Sequence, residues 1–279
     1  MTAIAKAGPR AETGGAKLAA AVDLDRYPIH EGGSAAFGSL LQTVRRDLAA
    51  SGASVLEGFM RPASLARVLA EVDPLASGAF VCRQPHNVFL VPGDSHYESD
   101  HPRNRQVRSE KAILADDEIP ANSPLRDIYD SADFRAFLRA ALDVDALFPF
   151  ADNLGSVNVN FYGLGQELGW HFDNSVFTVT LMLRQAERGG LFEFAPDIRQ
   201  EGAAGFQTLE RILDGDSARV RELKQGAGAL VLFKGSRSLH RVTPAYGAKP
   251  RTIAILSYAP MPDYSLKEHT RRIFYGRTQ

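Results

Sequence analysis

From Gly155 onward the hydrophobic pattern of this chain changes period, and that change constrains the fold more than any other feature. Val157, Val159 and Phe161 alternate with Asn158, Asn160 and Tyr162, so a strand here carries one apolar and one polar face. On an ordinary sheet the polar face meets solvent; on a sheet closed around a cavity it lines the cavity. Further strand-like runs follow at 176–183, 189–194, 229–233, 238–242 and 251–258, with a helical insertion around Phe206, Leu209, Ile212 and Leu213. Short strands divided by turn signals, coming after helices, indicate an α+β chain. The expected architecture is a double-stranded β-helix (a jelly roll, cupin-like) with a helical N-terminal buttress.

The buttress is read from helical spacing. Phe37, Leu40, Leu41, Val44 and Leu48 fall on one helix face that Gly52 stops, and residues 53–56 read as a short strand. Leu65, Val68, Leu69 and Val72 make a second helix beginning near Pro62, and Ser131 caps a third with Phe134, Phe137, Leu138 and Leu142 on its buried face. Between Arg83 and Pro120 the periodicity weakens. There 86–90 reads as a strand and 91–94 as a turn, and the polar stretch beyond is a candidate lid or binding loop. His96 and His101 in that stretch have no neighbours that would make a metal site. The segment through about Ala21, rich in Ala, Gly and Lys, lacks the apolar core of a signal peptide. The expected division is a flexible tail over 1–25, helical support and lid over 26–150, a jelly-roll core over 151–260 and a C-terminal extension over 261–279.

Composition narrows the partners. A formal net charge of −1 argues against nucleic acid, the single Cys82 excludes an internal disulfide, and no apolar run reaches membrane-spanning length. The expectation is a cytoplasmic monomer or homodimer acting on a small molecule.

His171 and Asp173, two apart on an extended segment, point to the same side. With the distant His240 they make the two-imidazole, one-carboxylate set that holds non-haem Fe(II) on one face and leaves other positions open. Arg251 follows inside a strand-like run, and Arg grips carboxylates bidentately. Three ligands and such a clamp suggest an iron enzyme with an acidic co-substrate.

The order of strand, H-x-D, glycine-led strand, second His and Arg resembles the Fe(II)/2-oxoglutarate oxygenases over roughly 155–260. A closer resemblance, carried by 158–162, 168–173 and 238–244 and upstream by 86–90 and 123–126, is to the group containing the free-lysine radical halogenases and their hydroxylating relatives. The resemblance implies His171, Asp173 and His240 as iron ligands and Arg251 for the distal carboxylate of 2-oxoglutarate, with O2 as the other co-substrate. Halogenating members carry Gly where this chain keeps Asp173, which implies hydroxylation. Asn158 and Ser257 are further co-substrate candidates, whereas Thr252 alternates away from Arg251. His86, Asn87, Arg103, Trp170 and Asn174 are candidate substrate contacts. The implied substrate is a free amino acid, whose carboxylate would need a cation such as Arg83, Arg103 or Arg105. The alternatives are a carrier-bound amino acid, a peptide or another metabolite, or a catalytically silent sensor.

Overall fold

The alternation that begins near Gly155 builds a sheet curled around a lumen, and helices cover its outer face. The structure, a computed structural model, describes residues 10–200 and 203–279. In chain order the longer elements are α1 (Arg10–Ala21), α2 (Ala35–Ser51), β1 (Ala53–Leu56), α3 (Pro62–Val72), β2 (Phe80–Arg83) and β3 (Ser109–Leu114). Next come α4 (Pro124–Tyr129), α5 (Ala132–Leu142), β4 (Val157–Tyr162), β5 (Glu167–His171), β6 (Thr178–Arg184) and β7 (Phe192–Ala195). The last are α6 (Ala203–Leu213), β8 (Leu230–Phe233), β9 (Leu239–Val242), β10 (Arg251–Leu256) and α7 (Glu268–Tyr275).

The sheet runs β1-β8-β6-β10-β4-β3-β5-β9-β7 with every pairing antiparallel, and β2 adds to β3. Its bend lies at β3. Leu114, Ile113 and Ala112 pair with Val159, Asn160 and Phe161, while Glu110 and Ser109 pair with Glu167 and Leu168. Strands β4 and β5 therefore lie end to end along one edge of β3, broken by a turn in which Gly163 N donates to Gln166 Oε1 at 2.7 Å and Gly165 takes a φ of 72°. One wall continues from β4 and the other from β5.

Alternation then sorts the side chains. Val159, Phe161, Leu181, Leu183, Leu230, Leu232, Ala254 and Leu256 face outward into the core shared with the helices. Asn160 and Tyr162 stand opposite Ile253 and Arg251, and Thr178 and Thr180 opposite Phe233 and Val231, on the inner face. Asn158 and Asn160 are nearly inaccessible, so the polar face of β4 is an interior surface. Thr252, on the outer face, accepts from Arg184, which is also paired twice to Asp73 at 2.8 Å.

The buttress forms as its sequence predicts. Ser34 and Ser131 accept from Phe37 N and Phe134 N, and Pro62 opens α3. Two expectations need correction. Residues 10–21 of the expected tail are helical: Leu18 and Ala21 are buried, and Ser64 and Arg61 bond the carbonyls of Ala20 and Ala19 at 2.9 Å. The apolar contacts of Leu18 and Ala21 hold this helix, while Gly14 and Gly15 face open space; residues 1–9 lie outside the described residues. Residues 86–90 are a turn, bridged at one point to Val107, with Leu90 at a φ of 54°. No helix among the described residues is long and apolar enough to cross a membrane.

Candidate active site

Strand register brings the two histidines together. His240 on β9 lies directly opposite His171 on β5, and the ring centroids are 4.0 Å apart. Cross-strand partners share a face, so one pairing aims both rings into the lumen. Asp173 follows just past the end of β5, where its backbone N donates to Gly235 O at 3.0 Å. Asp173 Oδ1 is 3.5 Å from His171 Nε2 and 3.4 Å from His240 Nε2. One donor atom from each residue lies within 4.8 Å of the others.

Each imidazole is fixed from behind. His171 Nδ1 donates to Gly169 O at 2.9 Å and His240 Nδ1 to Ser238 O at 3.0 Å. This tautomer leaves both Nε2 lone pairs facing the carboxylate. Thr178 Oγ1 donates to Asp173 Oδ2 at 2.5 Å. A Cβ built on Gly235 would overlap the Asp173 carboxylate, so that position has to be glycine for the ligand to fit. Burial, reinforced by His240, pushes His171 down to about 4. Burial alone would raise the Asp173 carboxyl, but His240 and His171 hold it well below its usual range. Two neutral imidazoles and one carboxylate on one side of a cavity fit Fe(II) and leave its other face open.

The triad opens into a cavity of about 640 Å³ that Arg251 also lines. Arg251 is 1% exposed, and its Nε, Nη1 and Nη2 have no hydrogen-bond partner among the described residues. Its guanidinium lies 5.3 Å from the Tyr162 ring centroid, and its Cδ is close enough to Gly190 that a Cβ there would sit 3.1 Å away. An unpaired buried cation is costly unless a ligand neutralises it. The distal carboxylate of 2-oxoglutarate fits that requirement, since a guanidinium fork matches a carboxylate.

The other candidates divide. His86 and Asn174 line the cavity. Burial lowers the His86 pKa, which favours a neutral ring donating from Nδ1 to Asn87 O at 3.0 Å. In that tautomer Ser109 Oγ donates to His86 Nε2 at 2.6 Å while accepting from Gly169 N at 2.9 Å. His86 thereby supports the segment that carries His171. Asn87 lines the cavity, yet its side chain is consumed in the turn: Oδ1 accepts from Phe89 N and Val91 N and Nδ2 donates to Val91 O.

Trp170 lies off the cavity because it alternates away from His171; it is buried with Phe172 and Leu239, and Arg241 stacks 4.6 Å from its ring centroid. Arg103 also lies off it, bonded to Pro92 O and stacked on Phe89 at 5.5 Å. Arg83 pairs with Glu110 at 3.0 Å and Arg105 with Asp214 at 2.5 Å, so neither faces inward. Asn158 and Ser257 line an adjoining cavity of about 200 Å³ instead. Lys111, Ile255, Thr270 and Phe274 stand between the two spaces.

Several cavity residues escape sequence reasoning. Besides Arg251, Lys111 is the one Lys or Arg lining the main cavity among the described residues. Its alternation within Ser109–Leu114 is a signal, but a weak one in so polar a segment. Helix α7 supplies His269, Thr270, Ile273 and Phe274, and its sequence offers little signal, since its apolar residues Ile273, Phe274 and Tyr275 are consecutive rather than at helical spacing. Arg271 anchors it to the fully buried Asp152 at 2.8 Å. Thr178 and Gly235 carry no signal until their contacts with Asp173 are known.

A family model described as HalD, Halogenase D, matches residues 38–274. No curated protein matches the chain. Among solved structures, the non-heme alpha ketoglutarate dependent epimerase SnoN from nogalamycin biosynthesis is similar, with a TM-score of 0.54 at 15% identity over 80% of this chain and 83% of that one. SnoN in complex with Fe3+, alpha ketoglutarate and nogalamycin RO gives a TM-score of 0.51 at 16% identity, over 79% and 84%. At such identities the likeness concerns the fold, and it agrees with the jelly roll described above.

Proposed function

The chain belongs to the halogenase D family, and from that premise we propose that it is an Fe(II)/2-oxoglutarate-dependent hydroxylase of a small amino-acid substrate. The observation that carries this reading is Asp173. Its carboxylate completes a set of donors within 4.8 Å and occupies the space beside Gly235. Halogenating members of the resembling group have Gly where this chain has Asp173, so the retained carboxylate favours oxygen over halide as the group transferred.

Bound Fe(II), with 2-oxoglutarate and O2, supplies the power to replace a C–H by C–OH while 2-oxoglutarate becomes succinate and CO2. The residues of this chain do the rest. His171, Asp173 and His240 would hold the metal, with Gly169 O, Ser238 O and Thr178 Oγ1 fixing the ligands' orientation. Arg251 would take the distal carboxylate of the co-substrate. Lys111, with no carboxylate partner among the described residues, would take the anionic end of the substrate. Phe192, Phe233, Ile273 and Phe274 would exclude water from the reacting bond. Support for an amino-acid substrate is the resemblance together with this one inward Lys or Arg besides Arg251 among the described residues.

The test is succinate formation from 2-oxoglutarate under Fe(II) and air across a panel of free amino acids, with mass spectrometry of each mixture. The expected result is one amino acid that stimulates succinate and gains one oxygen. Stimulation only by carrier-bound or peptidyl amino acids would move the substrate class, and no succinate from iron-loaded protein with any of them would overturn the hydroxylase reading.

A further inference from the structure

Among the described residues, two that line the main cavity bury side-chain polar atoms with no partner: Arg251 and Gln225. Gln225 is 6% exposed, and its Oε1 has no hydrogen bond. The backbone around it is pinned. Gln185 Nε2 donates to Gln225 O at 2.7 Å, Gly226 N donates to both Glu57 carboxylate oxygens at 3.0 Å, and Gly228 N donates to Met182 O at 2.7 Å. A buried amide left unpaired on a fixed backbone is costly unless a ligand satisfies it.

Strand register locates Gln225 along the lumen. On β6, Thr178 holds Asp173, whereas Met182 further along pairs with Ile253 and Arg184 with Thr252. Gln185, bonded to Gln225, follows Arg184. The next residue, Ala186, meets Arg251 around Gly190, where an added Cβ would lie 3.0 Å from Ala186 Cβ and 3.1 Å from Arg251 Cδ. Gln225 and Arg251 thus stand toward the same end of the lumen, away from the metal ligands. A dicarboxylate held by His171, Asp173 and His240 through the metal would have Arg251 and Gln225 in the same cavity for its second carboxylate.

We propose that Gln225 is a second holder of the co-substrate's distal carboxylate, donating an amide N–H to the anion that Arg251 grips. The inference rests on the oxygenase reading above. A carboxylate is acceptor-only, and a half-turn of the amide exchanges NH2 for the unpartnered Oε1 while conserving shape. Gln225 is a positioning residue in this assignment.

The test is calorimetric titration of 2-oxoglutarate, and separately of 2-oxobutyrate, into Zn(II)-loaded wild type, Gln225→Met and Gln225→Glu. 2-Oxobutyrate keeps the metal-chelating end and lacks the second carboxylate. The expected loss for 2-oxoglutarate is about tenfold in Gln225→Met, as for a hydrogen bond to a charged group. Gln225→Glu should lose more, because it sets like charges together. 2-Oxobutyrate affinity should stay within about twofold in all three proteins, the behaviour of an isolated contact to the missing group. Unchanged 2-oxoglutarate affinity in both variants would overturn the assignment, as would an equal loss for both ligands, which marks general damage to the pocket. Zn(II)-bound wild type that takes up no 2-oxoglutarate would instead remove the oxygenase reading, and this inference with it.

Discussion

The two ends of the lumen are built on opposite plans. At the metal end the ligands are already held from behind: both Nδ1 atoms donate to backbone carbonyls, and Asp173 accepts from Thr178. At the other end Arg251 and Gln225 bury donors and an acceptor that have no hydrogen-bond partner among the described residues. A preorganised cluster tolerates the absence of its ligand, because each member is held by a hydrogen bond to the chain around it. An unanswered guanidinium strains the folded state until an anion arrives. Metal binding and co-substrate binding should therefore leave different marks on stability.

The largest effect expected is at the metal end. His240→Ala should abolish metal retention and bring turnover below detection, read by metal analysis and succinate formation. Gly235→Ala should approach that result, with metal affinity lower by about 10–100-fold, because the new methyl claims the space of the Asp173 carboxylate. Normal metal content in Gly235→Ala would show that the carboxylate has another place to sit.

At the opposite end the contrast predicts a split in sign. Arg251→Met should weaken 2-oxoglutarate binding by about two orders of magnitude, the loss of a bidentate charged pair. The same change should raise the unfolding free energy of the ligand-free protein by about 1–3 kcal/mol, since it removes an unpaired buried cation. Denaturant titration without ligand checks the second half; a destabilised variant would mean that Arg251 is already satisfied in the free protein.

A smaller effect separates the ends by pH. His171 sits at about 4 when folded and near the ordinary 6.5 when unfolded, so between those values the unfolded chain binds the extra proton. Stability of the metal-free protein should be full above about 6.5 and fall as pH drops toward 4, by on the order of 3 kcal/mol in all. Zn(II) should oppose that loss, because it needs the neutral ring. A flat profile over this window would place the imidazole outside the buried cluster.

What the sequence made legible follows from this same division. His171, His240 and Arg251 stand on strands whose alternation is plain, with Asp173 just past the end of β5, and the helices of the buttress announce themselves by spacing and caps. Strand β3 was hidden because Glu110 and Lys111 interrupt its apolar pattern, although Glu110 is occupied by Arg83 and Arg108 and Lys111 turns to the cavity. Asn158 and Ser257 share the right inner face yet open into the adjoining space: period two tells which face a residue takes, not how far along the lumen it lies. Trp170 shows the converse, since its neighbour His171 faces inward and the strand therefore sends the indole out. Gln225 sits in an irregular turn before β8, where no periodicity exists to be read.

The direct opposition of His171 and His240 has a consequence for how such a chain can fail. Strand pairing advances in whole residues, and a slip of one between β5 and β9 would carry one imidazole out of line and to the other face of the sheet. A slipped molecule thus keeps His171 and Asp173 on one segment but lacks the second imidazole. Bound metal per chain becomes a count of molecules in register, and substitutions in distant turns that loosen that register should lower the count without touching the affinity of the molecules that still bind.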